Sequence, residues 1–168
     1  DVDFCNPCGW RAKDAIFPQE LVFSFFRGRE ALVDAVVIDT ASLSPMESGK
    51  PKASRFPVDI EVWTADAERP DEFVLRASAA LEQTPGAHVV PFPPARARFL
   101  KLRILSTQGR AAPQLAEVGV LEAAEPERSV VRDLLRDIAS PALGGVIVWF
   151  TSDEREREAG MLLEPGGK

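Results

Sequence analysis

The chain is 168 residues long, 45% hydrophobic and 27% charged, which suffices for one globular domain with a buried core. A formal net charge of -6 and a pI near 4.9 count against a nucleic-acid partner, because phosphate binding draws on clustered Lys and Arg. No apolar run approaches the roughly 20 residues of a membrane-spanning helix, and the longest, Val146 to Phe150, is strand-sized.

In chain order, Asp1 to Trp10 show no basic segment followed by an apolar stretch, so no secretory leader is read there. Cys5 and Cys8 form a lone Cys-x-x-Cys. A redox role wants such a pair at a helix N-terminus after a strand, and zinc wants two more ligands. The chain has one His and no other Cys, and Pro7 with Gly9 spell a turn, so the pair belongs to a loop, free or bridged. Fourteen Pro and eleven Gly then predict many turns and few long helices.

Period-2 alternation recurs between the turns and marks half-buried strands. It predicts strands over Leu21 to Phe26, Ala35 to Thr40, Val58 to Trp63, Phe73 to Ala79, His88 to Phe92, Phe99 to Leu105 and Ala116 to Glu122. The inward sets are Val58, Ile60 and Val62 in one strand, and Leu100, Leu102 and Ile104 in another. Trp63 falls on the opposite face, half-exposed or covered by a helix. A loop rich in Ser, Pro, Lys and Gly spans Ala41 to Pro57. Short strands about ten residues apart without intervening helices predict an antiparallel β-sandwich.

After Glu122 the period changes. Val130, Val131, Leu134, Leu135 and Ile138 share one helical face, charges including Asp133 and Asp137 cover the other, and Pro141 with Gly144-Gly145 stops the helix. An amphipathic helix capping its own sandwich is commoner than one docking a partner. Val146 to Phe150 is strand-like again. The expected organisation is a sandwich over 1–124, a helical linker over 125–144, and a strand and turn over 145–168.

Catalytic chemistry finds little support. His88 is the only histidine, there is no Gly-x-Ser-x-Gly elbow, and the glycine pairs lack the spacing of a phosphate loop. A small hydrolase is therefore disfavoured, and the chain is expected not to be an enzyme.

Four stretches, Asn6-Pro7-Cys8-Gly9-Trp10, Phe17 to Phe25, Ile60 to Asp66, and Ala97 to Ser106 with Gln114 to Val118, carry a resemblance. They resemble the discoidin, or coagulation factor V/VIII type C, family of galactose-binding-like jelly-roll sandwiches. Their order and spacing carry the resemblance over about two-thirds of the chain. It implies a recognition module for a glycan or protein surface, extracellular or at the cell surface. It brings Trp10, Arg11, Arg55, Gln108 and Arg110 into loops at the sandwich ends, although the family's Trp often packs as a plug under its loop. A sugar needs an aromatic platform flanked by polar groups, and the absence of Tyr weakens that reading. The resemblance also implies a calcium cage, for which Asp3, Asn6 and Glu117 match most nearly. Phe4 and Cys5 replace the family's Gly and acid, so the expectation is no cofactor, with a structural calcium as the alternative.

One departure is informative. The family has a strand and turn before its Gly-Trp loop, whereas here Gly145 to Ser152 resembles that opening strand and Ala159 to Gly166 the turn after it. Joined from Lys168 back to Asp1, the sequence runs nearly in family order. The alternatives are a permuted sandwich, one unit of a tandem array, or a subunit lending Val146 to Phe150 to a neighbour in head-to-tail self-association. An unrelated extra strand is the plainer alternative, but it would leave a core gap and an exposed edge.

Overall fold

A computed structural model of the chain describes residues 10–40, 55–123 and 146–150. Its strands are β1 (Trp10–Arg11), β2 (Gln19–Ser24), β3 (Ala31–Asp39), β4 (Asp59–Ala65), β5 (Val74–Ala80), β6 (Ala87–Ala97), β7 (Phe99–Ile104), β8 (Gln114–Leu115), β9 (Glu117–Glu122) and β10 (Val146–Phe150). Five of them form one sheet in the order β10-β2-β7-β4-β5, three form a second in the order β6-β3-β9, and β1 pairs with β8. All the pairings are antiparallel.

The alternation read in Phe99 to Ile104 is the alternation seen. Leu100, Leu102 and Ile104 are fully buried, while Phe99, Lys101 and Arg103 lie partly exposed on the other face. Register extends this across the sheet: Leu21, Leu102 and Val62 stand in one row, Phe23, Leu100 and Thr64 in the next. Against this layer pack Val33, Val36 and Ile38 of β3, Val90 and Phe92 of β6, and Val118 and Val120 of β9. Each such aliphatic contributes roughly 1.5–3 kcal/mol when taken fully out of water. The two inner faces together make the core of a β-sandwich.

Most strand boundaries differ from the sequence reading by one or two residues, and those of β3 and β6 differ by more. β3 begins at Ala31 rather than Ala35, and its register shifts between Val33 and Ala35. That bulge moves the buried phase from Ala31 and Val33 to Val36 and Ile38, which breaks the alternation a sequence scan follows. β6 continues past Phe92 to Ala97, through Pro91, Pro93 and Pro94. It pairs only with β3 and so sits at a sheet edge, where a missing N–H costs no ladder bond. Val58 is only half-buried just before β4, whereas Ile60 and Val62 are buried as expected.

β10 pairs with β2 of its own chain, with Val146 opposite Ser24 and Phe150 opposite Leu21. The strand thus occupies an edge slot of the chain's own five-stranded sheet. The helix expected over 127–138, the Cys5–Cys8 pair and the turn over 159–166 lie outside the described residues.

Candidate functional site

Antiparallel pairing decides which loops meet. Gln19 is opposite Ile104, Asp59 opposite Ala80, and Asp39 opposite both Ala87 and Glu117. The segments before β2, before β4, between β5 and β6, and between β7 and β9 therefore emerge at one end of the sandwich.

Backbone hydrogen bonds lace these segments together. The Val58 N–H donates to the Ser106 carbonyl at 3.0 Å, the Gln108 N–H to Phe56 at 3.2 Å, the Leu81 N–H to Val58 at 2.8 Å and the Ala12 N–H to Pro113 at 3.0 Å. Pro57 bridges Thr107, and the buried Phe56 ring anchors the residue that follows Arg55. The turn carrying Arg110 is closed from within: the Arg110 N–H donates to Thr107 at 3.2 Å, and Thr107 Oγ1 donates to the Ala111 carbonyl at 2.7 Å. Arg110 itself has φ 52°, a left-handed conformation uncommon for a non-glycine residue. Those two hydrogen bonds hold it there.

The structure accordingly brings Arg55, Gln108 and Arg110 onto neighbouring loops, with Gln108 and Arg110 exposed and Arg55 half-buried. Arg11 joins the same end through the β1–β8 ribbon, its backbone opposite Gln114. Trp10 is a correction: it is 0% exposed and belongs to the core cluster, so it offers no platform to a ligand. Ribbon pairing with Leu115 drives the indole inward, as a plug beneath the loops. Its Nε1 has no hydrogen-bond partner there. Glu117 opens β9 opposite Asp39 and is half-buried, while Asp3 and Asn6 lie outside the described residues. Among the described residues no three His, Cys, Asp or Glu side chains are grouped to hold a metal ion.

Guanidinium and carboxamide groups at this end can donate to hydroxyl and carbonyl oxygens. Two polar side chains nearby, Ser106 and His88, are tied into the loops. Ser106 Oγ donates to Asp59 Oδ2 at 2.7 Å, and His88 Nε2 lies 2.9 Å from the Thr84 carbonyl, two separate contacts rather than a nucleophile with its base.

Sequence reasoning missed a second feature, the outer face of the five-stranded sheet. Trp63 and Phe73 lie against Lys101 there, whose Nζ is 4.4 Å from the Phe73 ring centre and 5.5 Å from a Trp63 ring, and Phe99 lines the same cavity. Arg103 lies between two acids, 2.7 Å from Glu20 and 2.8 Å from Glu61. The outward set Phe99, Lys101 and Arg103 was legible as the complement of the inward one. That Phe73 joins it depends on the register between β4 and its neighbours, which the sequence does not display.

No protein-family model and no curated protein matches the chain. Solved structures do. The carbohydrate-binding module CpGH89CBM32-5 from Clostridium perfringens, in complex with GalNAc-β-1,3-galactose, superposes with a TM-score of 0.50 at 15% identity, over 62% of this chain and 66% of that one. The CBM32-1, CBM32-2 and M60 catalytic domains of Clostridium perfringens ZmpB give 0.54 at 16% identity, over 70% of this chain and 11% of that one. Chitosan-binding module 1 from a chitosanase/glucanase of Paenibacillus sp. IK-5 gives 0.51 at 12% identity, over 66% and 74%. The likeness is one of fold, and it agrees with the layers and strand pairing described above. The chain has the discoidin-like, galactose-binding-like β-sandwich fold shared by these carbohydrate-binding modules.

Proposed function

We propose that the chain is a non-catalytic carbohydrate-binding module that takes its glycan at the loop end bearing Arg11, Arg55, Gln108 and Arg110. The observation that carries this is the lacing of residues 56–58 to residues 106–108, which sets the Arg55 and Arg110 segments side by side on rigid backbone. Preset polar groups orient a sugar at low entropic cost, which is where recognition of a flexible, hydrated ligand gains most. Neighbours in fold are named for binding GalNAc-β-1,3-galactose and chitosan, which points to galactose-type and amino sugars as the first ligands to try. With Trp10 buried, hydrogen bonds from the arginines and Gln108 do most of the orienting.

The test is a titration of the full chain with N-acetylgalactosamine, galactose and chitosan oligosaccharides, followed by amide chemical shifts. Amides of residues 55, 56, 58 and 106–111 should move with one of these sugars. Arg55→Ala combined with Arg110→Ala should weaken that response at least tenfold while the melting temperature stays put. Intact binding in the double variant would remove the site from this end. Silence from the wild-type protein toward every sugar would remove the glycan reading.

A further inference from the structure

We infer that the outer face of the five-stranded sheet is a second carbohydrate site, a groove that takes one sugar ring between Phe73 and Phe99. It rests on the glycan reading but uses none of the loop residues. A cavity of about 330 Å³ opens on this face. Among the described residues, its apolar wall is Val22, Pro70, Phe73 and Phe99, and its polar groups are Glu20, Asp71 and Lys101. That volume lies at the small end of ligand pockets, about 300–1,000 Å³, with room for a ring rather than a long oligosaccharide.

The polar set selects the ligand class. Lys101 Nζ makes ring contacts and has no hydrogen bond or ion pair with another described residue. The Asp71 carboxylate likewise meets no described donor, although both groups line one cavity. A donor-only ammonium and an acceptor-only carboxylate lining the same cavity suit a hydroxyl, which both accepts and donates. The same set is poorly suited to ions. An anion would meet Asp71 and Glu20, and a cation would meet Lys101, which already lies over the ring faces of Phe73 and Trp63. An uncharged polyol with one apolar face satisfies every group: C–H bonds against the rings, hydroxyls toward Lys101 and Asp71.

Position on the fold makes the site stiff. Phe99 and Lys101 stand on β7, paired on both sides by β2 and β4, so the groove floor is the centre of a sheet rather than a loop. Glu20 and Glu61 clasp Arg103 directly beside it and hold the polar end of the row in place.

The experiment is the same sugar titration of the full chain, read at amides 20–22, 71–73 and 99–101. These should shift as a second set with its own saturation curve. Asp71→Ala and Phe73→Leu should each weaken that set at least tenfold and leave the shifts at residues 55, 56, 58 and 106–111 unchanged. Phe73→Leu keeps an apolar side chain, and Asp71 is exposed, so loss of folding in one variant leaves the other to decide. Shifts confined to the loop end would overturn the groove and leave the loop-end reading standing. Shifts confined to the groove would support it and displace the loop end. No shift with any sugar would overturn both.

Discussion

Leu102 stands at the middle of the five-stranded sheet, with Leu21 opposite it on one side and Val62 on the other, and its side chain is fully buried. Truncation to alanine there should cost about 2–5 kcal/mol through lost transfer energy and the cavity left behind. Leu102→Asp should go further, because a buried unpaired carboxylate adds its desolvation to that loss. Against a total stability on the order of 5–15 kcal/mol, urea unfolding should show a lowered midpoint for the alanine variant and no cooperative transition for the aspartate one. A native-like melting temperature in Leu102→Asp would contradict the assigned core. Two residues away, Arg103 points to the other face and should behave differently. Its Nε lies 2.7 Å from Glu20 without good hydrogen-bond alignment, and its Nη1 donates to Glu61 at 2.8 Å. Its side chain is 26% exposed, which places the pairs in the screened regime of about 0–1 kcal/mol each. Arg103→Met should therefore lower stability by roughly 1 kcal/mol at low salt, with the difference shrinking as salt is added. A loss as large as that of Leu102→Ala would show the pairs to be desolvated beyond what this exposure implies.

At the level of elements, legibility followed the period. Phe99 to Ile104 alternates without interruption, and its two faces were assigned correctly from the sequence. In β3 the bulge after Val33 sets two residues opposite one of β9, so the buried positions change parity and the period seen after Ala35 does not extend back to Ala31. β6 was cut short because Pro93 and Pro94 look like a turn unless the strand is known to lie at an edge. β1 and β8 are two residues each and exist only as each other's partners, so no local signal marks either. β10 was legible from its run of apolar residues, but its place in the chain's own sheet was one of several readings. That place has a consequence for β2. With β10 present, the Leu21-Val22-Phe23 segment is paired on both sides, by β10 and β7. Deleting residues 145–168 should turn this apolar strand into an open edge, which is a template for intermolecular pairing. The truncated protein should melt lower and enter aggregates on size-exclusion chromatography. An equally heat-stable, monomeric truncation would mean that β10 contributes nothing to the sheet.

Across the whole molecule, the candidate site was half legible. The resemblance puts Arg55, Gln108 and Arg110 in loops at the sandwich ends, and backbone bonds join residues 56–58 to 106–108 there. Trp10 was named beside them because the loop carries it, yet its backbone pairing sends the indole into the core. The aromatic groove went unseen because Phe73, Lys101 and Glu20 come from separate stretches of chain, and only sheet order joins them.

Sheet order also decides how the chain should respond to copies of itself. A strand already paired with a neighbour in its own sheet has that ladder of hydrogen bonds made within one chain and gains none by making the same ladder in another copy. A donated strand would gain pairing only by association, and would make oligomeric state depend on concentration. Because β10 pairs with β2 of the same chain over Ser24 to Leu21, the intact protein should elute as a monomer with a mass independent of loading. Mixing gives the sharper measurement. The truncation ending at Gly144 has a vacant edge beside β2, and a synthetic peptide of residues 145–168 should bind it and restore its melting temperature. The intact chain should not, since its own β10 is already paired and releasing it would sacrifice as many hydrogen bonds as it made. Light scattering on an equimolar mixture of intact and truncated protein should therefore show two independent species. A stable one-to-one complex of the two would show that the strand exchanges between chains, and would return head-to-tail assembly to consideration.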